Sequence, residues 1–194
     1  GNAMVKAAYS CGKPALGVGA GNVPAYVEKS ANIRQAAHDI VMSKSFDNGM
    51  VCASEQAVII DKEVYDEFVE EFKSYHTYFV NKKEKALLEE FCFGAKANSK
   101  NCAGAKLNPD IVGKPATWIA EQAGFSVPED TNILAAECKE VGEKEPLTRE
   151  KLSPVIAVLK SESREDGVEK ARQMVEFHGL GHSAAIHTAD EELT

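Results

Sequence analysis

The sequence lacks several features that would place a protein in a special class at once. It has no apolar run near the roughly 18 to 20 residues that cross a bilayer, and no basic-then-apolar leader. It has no basic block either, and 22 Lys and Arg against 30 Asp and Glu make a net charge of −8 that would repel phosphate backbones. We therefore predict neither a membrane or secreted protein nor a nucleic-acid partner.

The cysteines are too few and too irregularly spaced for a disulfide framework. There are five, an odd number with no Cys-x-x-Cys pair, at positions 11, 52, 92, 102 and 138. The same spacing argues against a cysteine-rich zinc site. We expect reduced thiols in a cytoplasmic protein, any one of which could be reactive.

Strand-length apolar runs alternate with helical patterns along the whole chain. This alternation, with 44% hydrophobic and 27% charged residues, predicts one layered α/β domain with a mostly parallel sheet. The predicted strands cover residues 25–27, 57–60, 133–136, 155–159 and 184–186. The predicted helices cover 32–44, a segment with Val64, Phe68 and Phe72 on one face, 81–94, 115–124 and 164–177.

Cys52 stands out among the cysteines because of the segment that carries it. The segment 46–55 is polar and glycine-containing before the sulfur and apolar soon after it, and it connects a predicted helix to a predicted strand. Such a loop exposes a thiol and supplies free backbone N–H groups, as a nucleophile requires. A free cysteine is also often a small buried hydrophobic residue, so this pattern alone leaves both interpretations open.

The glycine run at residues 17–22 invites a phosphate-binding interpretation. A dinucleotide fingerprint needs a third, more distant glycine and a helix directly after it, whereas Pro24 and a short strand follow here. We therefore favour a close approach of two backbones, or the floor of a pocket, as the reason for these glycines.

Three histidines, His178, His182 and His187, lie near the end of the sequence. Gly179 and Gly181 break the register that would place two of them on one helix face, so we predict no metal site. His182 precedes a strand and could reach a pocket at the strand end, where a neutral imidazole can take part in proton transfer. A purely structural histidine is the alternative.

Three segments in order, residues 17–24, the Cys52 segment and residues 150–155, resemble the catalytic domain of the aldehyde dehydrogenase superfamily. The resemblance covers nearly the whole chain, and it is greatest for the CoA-acylating half of the bifunctional aldehyde-alcohol dehydrogenases of fermenting bacteria. The family positions are occupied by Phe46, Gly49, Cys52, Glu150, Pro154 and Val155.

The resemblance implies a role for each of these segments. Cys52 would be the nucleophile, with its backbone N–H near the oxyanion, and His182 would be a pocket residue that assists thiol exchange. NAD would be the cofactor, with Glu150 on the nicotinamide ribose and Gly19 and Pro154 also in the cofactor site. Coenzyme A would be the co-substrate and a short-chain aldehyde the substrate, in a protein that is a homo-oligomer at full length.

One departure from the family concerns the acyl acceptor. Val18 occupies the place of the glutamate with which hydrolytic relatives activate water. Valine cannot act as a base, so a thioacyl enzyme would persist until another nucleophile arrived, which agrees with coenzyme A in that role.

The resemblance also implies that residues 1–194 are one catalytic domain of a longer protein. Residues 1–3 would be a non-native extension, and the NAD fold would lie mostly outside the chain, which would then be inactive or nearly so by itself.

The alternatives to this function are an acyl-phosphate-reducing or hydrolytic relative, an unreactive folding and assembly module, and a flavodoxin-like nucleotide binder dependent on Gly19 and Gly21. Phosphate dependence, thiol reactivity relative to Cys92, and nucleotide binding would distinguish them.

Overall fold

The structure, a computed structural model, describes residues 2–17, 21–94, 106–177, 180 and 182–193. Several residues singled out from the sequence lie outside this description: Val18, Gly19, Cys102, His178, Gly179 and Gly181.

The strands form one parallel sheet. In chain order they are β1 Pro24–Val27, β2 Ala57–Asp61, β3 Thr77–Phe79, β4 Ile133–Cys138, β5 Val155–Ser161 and β6 Ala185–His187. Their order across the sheet is β3-β4-β5-β2-β1-β6, and each described pairing is parallel. The predicted α/β class with a mostly parallel sheet is confirmed.

Helices cover both faces of this sheet, and their bounds in chain order are α1 Asn2–Ser10, α2 Ile33–Ser45, α3 Tyr65–Ser74, α4 Lys82–Phe93, α5 Ala116–Ala123 and α6 Arg164–Glu176. Alternate residues of a strand point to opposite faces, so Val58 packs with Ile40 and Phe72 of α2 and α3, while Ile59 joins the cluster of α4, α5 and α6. The sheet is therefore the middle of three layers.

The ends of several helices follow from local sequence signals. Asn81 and Glu84 form the predicted capping box at the start of α4, and Gly94 ends that helix in the left-handed conformation. Asn32 caps α2 by accepting from the Gln35 N–H, and Gly124 ends α5. These short-range signals are the reason that the predicted helices agree closely with the observed ones.

Two elements have no counterpart in the sequence predictions. The edge strand β3 has only three residues, too few to show an alternating pattern, and it follows His76, whose φ is 62°. Helix α1 is the other, since no helix is predicted over its residues.

Candidate active site

Four segments that precede neighbouring strands meet at one edge of the sheet. Glu150, Cys52, Gly21 and His182 come shortly before β5, β2, β1 and β6, which are consecutive in the sheet order. Because all four strands are parallel, their amino ends lie at the same edge. We call it the amino edge, and the opposite one the carboxyl edge.

The turn before Cys52 has a constrained backbone. It is a 3-10 turn over Phe46–Gly49, in which Asp47 and Asn48 both have a φ of 50°, an uncommon conformation for residues other than glycine. Asn48 Nδ2 donates to the Gly113 carbonyl at 3.1 Å. Gly49 has a φ of 67°, and a Cβ there would lie 2.5 Å from the Ser153 carbonyl oxygen. The turn is thus pressed against the segment before β5, and Cys52 is exposed just beyond it.

Gly21 is the point at which three of the predicted site residues, Cys52, Glu150 and His182, come together. Its N–H donates to Glu150 Oε1 at 3.3 Å. A Cβ built on Gly21 would lie 2.8 Å from His182 Cγ and 2.9 Å from the Cys52 carbonyl oxygen, closer than real Cβ contacts. The close backbone approach predicted for the glycine run is confirmed at this glycine.

The carboxyl group of Glu150 lies half-buried at this junction. Burial raises its pKa above the ordinary value, although the Gly21 hydrogen bond and the nearby His182 and Lys151 act in the opposite direction. Glu150 is therefore no ordinary solvated loop acid.

The ring of His182 has one nitrogen already engaged. The Ser183 N–H donates to His182 Nδ1 at 2.8 Å, so Nδ1 is an acceptor. The neutral ring then carries its proton on Nε2. In this arrangement His182 can offer a hydrogen-bond donor to a ligand at the amino edge.

Two further site predictions have a different outcome. Pro154 is buried, and its carbonyl accepts from the Leu134 N–H at 2.9 Å, so this residue joins β5 to β4. Its part in cofactor binding stays a prediction. Gly19 lies outside the described residues, so its predicted part stays a prediction too.

The other described cysteines differ from Cys52 in their surroundings. Cys92 and Cys138 are buried, and burial raises the pKa of each thiol to about 12. Cys11 is exposed but lies in the turn after α1, outside the four converging segments. Among the described thiols, Cys52 combines exposure with the amino edge.

An open cleft of about 850 Å³ lies at the carboxyl edge, between the ends of β3, β4 and β5. Lysines and glutamates line much of it, and Lys85 is already paired there with Glu145. None of the predicted site residues lines it. Size alone does not make it the active site, because the thiol that lines it, Cys138, is buried with a raised pKa, whereas the exposed Cys52 is at the other edge.

Within the described ranges, no three His, Cys, Asp or Glu side chains are grouped as metal ligands would be. The same part of the chain contains no helix long and apolar enough to span a membrane.

Sequence reasoning missed two polar side chains that support this site. Gln56 and Lys151 are both fully buried, next to the Cys52 and Glu150 segments. The available signal was their adjacency to the motifs, but a glutamine before a strand and a lysine in a loop are ordinarily exposed.

The aldehyde dehydrogenase family model matches residues 1–194. The chain belongs to the aldehyde dehydrogenase family. It is 95% identical over 194 residues to the aldehyde-alcohol dehydrogenase of Streptococcus pneumoniae serotype 4, covering all of this chain and 22% of that protein. The chain therefore spans about a fifth of the length of this relative, and the predicted resemblance is confirmed.

Solved members of the family share the fold of the chain. An acetylating aldehyde dehydrogenase from Geobacillus thermoglucosidasius has a TM-score of 0.89 and 43% identity, with 100% of this chain and 41% of that one covered. A propionaldehyde dehydrogenase from Rhodopseudomonas palustris, solved with CoA and an acylated cysteine, has a TM-score of 0.82 and 30% identity, with 98% of this chain and 41% of that one covered. The first of these relatives is named an acetylating enzyme, and the second was solved with CoA bound.

Proposed function

We propose that the chain is the cysteine-bearing catalytic domain of a CoA-acylating aldehyde dehydrogenase. It would interconvert a short-chain aldehyde, CoA and NAD with acyl-CoA and NADH, as part of a longer, cytoplasmic, homo-oligomeric aldehyde-alcohol dehydrogenase. The observation that carries the proposal is the meeting of Cys52, Glu150 and His182 around Gly21. The acylated cysteine of the Rhodopseudomonas relative supports thioester chemistry.

The first step is attack by the Cys52 thiolate on the aldehyde carbon. A carbon–sulfur bond forms, and the carbonyl electrons move onto oxygen to give a thiohemiacetal anion. The backbone N–H of Cys52, in the constrained segment after Gly49, is our candidate donor to this oxyanion. A preorganised donor of this kind lowers the barrier by about 3 kcal/mol.

Glu150 is the residue of this chain that we assign to the cofactor. One carboxylate oxygen accepts from Gly21, and the ionised group can accept further hydrogen bonds from ribose hydroxyls. These acceptor oxygens would suit the hydroxyl donors of a nicotinamide ribose. NAD, when bound, supplies the acceptor for the hydride that leaves the thiohemiacetal carbon as the thioester forms.

The second half of the reaction transfers the acyl group to CoA. The CoA thiol loses its proton to solvent and attacks the thioester carbon, and Cys52 leaves as a thiolate. His182, with its proton on Nε2, would donate to the acyl oxygen in this step. Val18 supplies no base to activate water, so hydrolysis does not compete through that position.

The test is a pair of assays on the full-length protein. With acetaldehyde and NAD we expect NADH formation that requires CoA. In the absence of NAD we expect exchange of isotope-labelled CoA into acetyl-CoA, with acetylation of Cys52 seen by peptide mass spectrometry. The Cys52→Ser variant should lose both activities. Absence of exchange and of Cys52 acetylation in the wild type would refute the proposal.

The same assays separate the alternative functions. Replacement of CoA by inorganic phosphate would sustain NADH formation in an acyl-phosphate enzyme but not in the enzyme proposed here. Aldehyde oxidation without either acceptor would indicate a hydrolytic relative. A folding and assembly module would show neither activity, and its Cys52 would be unreactive even in the full-length protein.

A further inference from the structure

Gln56 joins the segments that carry the proposed nucleophile and cofactor ligand. Its side chain is fully buried. Nε2 donates to the Ser54 carbonyl at 3.0 Å, in the Cys52 segment. Oε1 accepts from the Lys151 N–H at 3.0 Å, directly after Glu150, and from Lys44 Nζ at 3.3 Å. One amide group thus links the two segments.

The backbone of Gln56 extends this link in both directions. Its N–H donates to the Val23 carbonyl at 2.7 Å, in the segment of Gly21. Its carbonyl accepts from Lys151 Nζ at 3.0 Å. Three of the four converging segments are therefore joined at this residue.

Lys151 makes the corresponding bonds from the Glu150 side. Its Nζ donates to the carbonyls of Gln56, Leu147 and Arg149 at 3.0, 2.6 and 2.8 Å. An ammonium group has three donors, and all three have an acceptor here. The titratable groups around it are the Lys44 amine, the Cys92 and Cys138 thiols and the Glu150 carboxylate. A fully buried amine of this kind holds its surroundings only while these bonds persist.

Lys44 provides a matched comparison. It is also fully buried, and it also bonds to Gln56, but it comes from α2 and reaches the amide oxygen alone at 3.3 Å. A substitution at either position therefore removes one buried amine, so the two variants share that cost. Only Lys151 uses its amine to tie the Glu150 segment to Gln56.

We propose that Gln56 and Lys151 are positioning residues that hold Cys52 and Glu150 at the separation required for hydride transfer. The inference rests on the proposed function. Hydride transfer needs the thiohemiacetal on Cys52 and the nicotinamide near Glu150 at the correct distance and orientation. A misplacement of one reacting group by about 1 Å can reduce a rate about 100-fold. Acyl exchange needs Cys52 but no nicotinamide, so it depends less on this separation.

The experiment measures both half-reactions in the full-length protein. In Lys151→Met we expect kcat/KM for NAD-dependent oxidation to fall about 100-fold, with CoA exchange within about threefold of wild type. Lys44→Met should leave both within about threefold. Gln56→Glu keeps the acceptor for Lys151 but loses the donor to Ser54, and it should also reduce oxidation more than exchange. Gln56→Glu therefore decides the question even if Lys151→Met does not fold.

Three results would overturn the inference. They are equal losses in Lys151→Met and Lys44→Met, an equal fall of oxidation and exchange in both Lys151→Met and Gln56→Glu, or no loss in either of these variants. Each presupposes an active wild type, so each is distinct from failure of the proposed function, in which the wild type shows no CoA exchange.

Discussion

The two edges of the sheet use polar side chains in different ways. At the carboxyl edge, Asp61 is buried and accepts from the Tyr26 and Ser161 hydroxyls at 2.8 and 2.7 Å and from the Lys29 N–H at 3.0 Å. At the amino edge, Cys52 is exposed and Glu150 half-buried. The buried hydrogen bonds of Asp61 hold strand ends together, whereas the partly exposed Cys52 and Glu150 can contact a substrate.

The comparison also reverses a common expectation. In open parallel sheets, ligands ordinarily bind at the carboxyl ends of the strands. Here the large cleft is at that edge, but the nucleophile and its neighbours are at the other. The chemistry of the residues, and not the size of the cavity, distinguishes the two.

The largest expected effect comes from the nucleophile. Cys52→Ser should reduce aldehyde oxidation by the full-length protein by about 10⁴-fold or more, because a hydroxyl is a far weaker nucleophile than a thiolate. The matched carboxyl-edge variants Lys82→Ala and Lys139→Ala should retain activity within about twofold, since both side chains only line the cleft. Initial rates measure both. A large loss of activity in either lysine variant would indicate that the active site lies in the cleft instead.

The alkylation rates of one cysteine at each edge give a direct comparison of the two edges. We expect Cys52 to be alkylated about 1,000-fold faster than Cys138 at neutral pH, because burial raises the pKa of Cys138 to about 12 while Cys52 is accessible. Peptide mass spectrometry after brief iodoacetamide treatment would give the rates, with the exposed Cys11 as internal reference. Comparable labelling of Cys52 and Cys138 would contradict the assignment.

A third prediction concerns the crossing at Gly21. Gly21→Ala should reduce kcat/KM about 100-fold, because the new Cβ would displace His182 or the Cys52 carbonyl, 2.8 and 2.9 Å away. Gly94→Ala is the opposite case. It has open space around it but a φ of 63°, so it should reduce stability by about 1 kcal/mol without loss of activity. Initial rates and urea unfolding of both variants would show whether the loss of activity occurs in Gly21→Ala and the loss of stability without loss of activity in Gly94→Ala.

Particular residues show how much of the structure at the two edges can be predicted from the sequence. The apolar run at 57–60 and the capping box at Asn81 are local, so strands and helix ends follow from short-range patterns. The polar, glycine-containing turn before Cys52 is compatible with an exposed thiol but leaves a buried one open, and the exposure is seen in the structure. The burial of Gln56 and Lys151 does not follow from the sequence, because it depends on bonds between residues 95 positions apart, which no local pattern contains.

Lys151 also makes the amino edge sensitive to pH. Burial lowers its pKa from the ordinary 10.5 to about 7, so between these values the unfolded chain binds more protons than the native one. The free energy of unfolding should therefore rise with pH across this window, by up to about 1.4 kcal/mol per pH unit from this group. In Lys151→Met we expect that contribution to disappear.

Lys85 at the carboxyl edge is the control for this pH effect. Burial lowers its pKa, but Cys138, Glu145 and Glu89 outweigh burial and raise it overall. Lys85→Met should therefore leave the slope between pH 7 and 10 unchanged. Urea titrations of both variants over this range would check it, and the same slope in Lys151→Met as in wild type would contradict the explanation.

The smallest expected effect tests whether the carboxyl edge is only structural. Asn81 lines the cleft there and caps α4 by accepting from the Lys83 and Glu84 N–H groups at 2.9 and 3.0 Å. Asn81→Ala should reduce the free energy of unfolding by about 1 kcal/mol, because these donors lose their acceptor. Asn81→Ser, which can still cap the helix, should recover most of it. If the carboxyl edge carries no chemistry, both variants keep wild-type kcat/KM, and a fall in activity that Ser does not restore would show that the cleft takes part in the reaction.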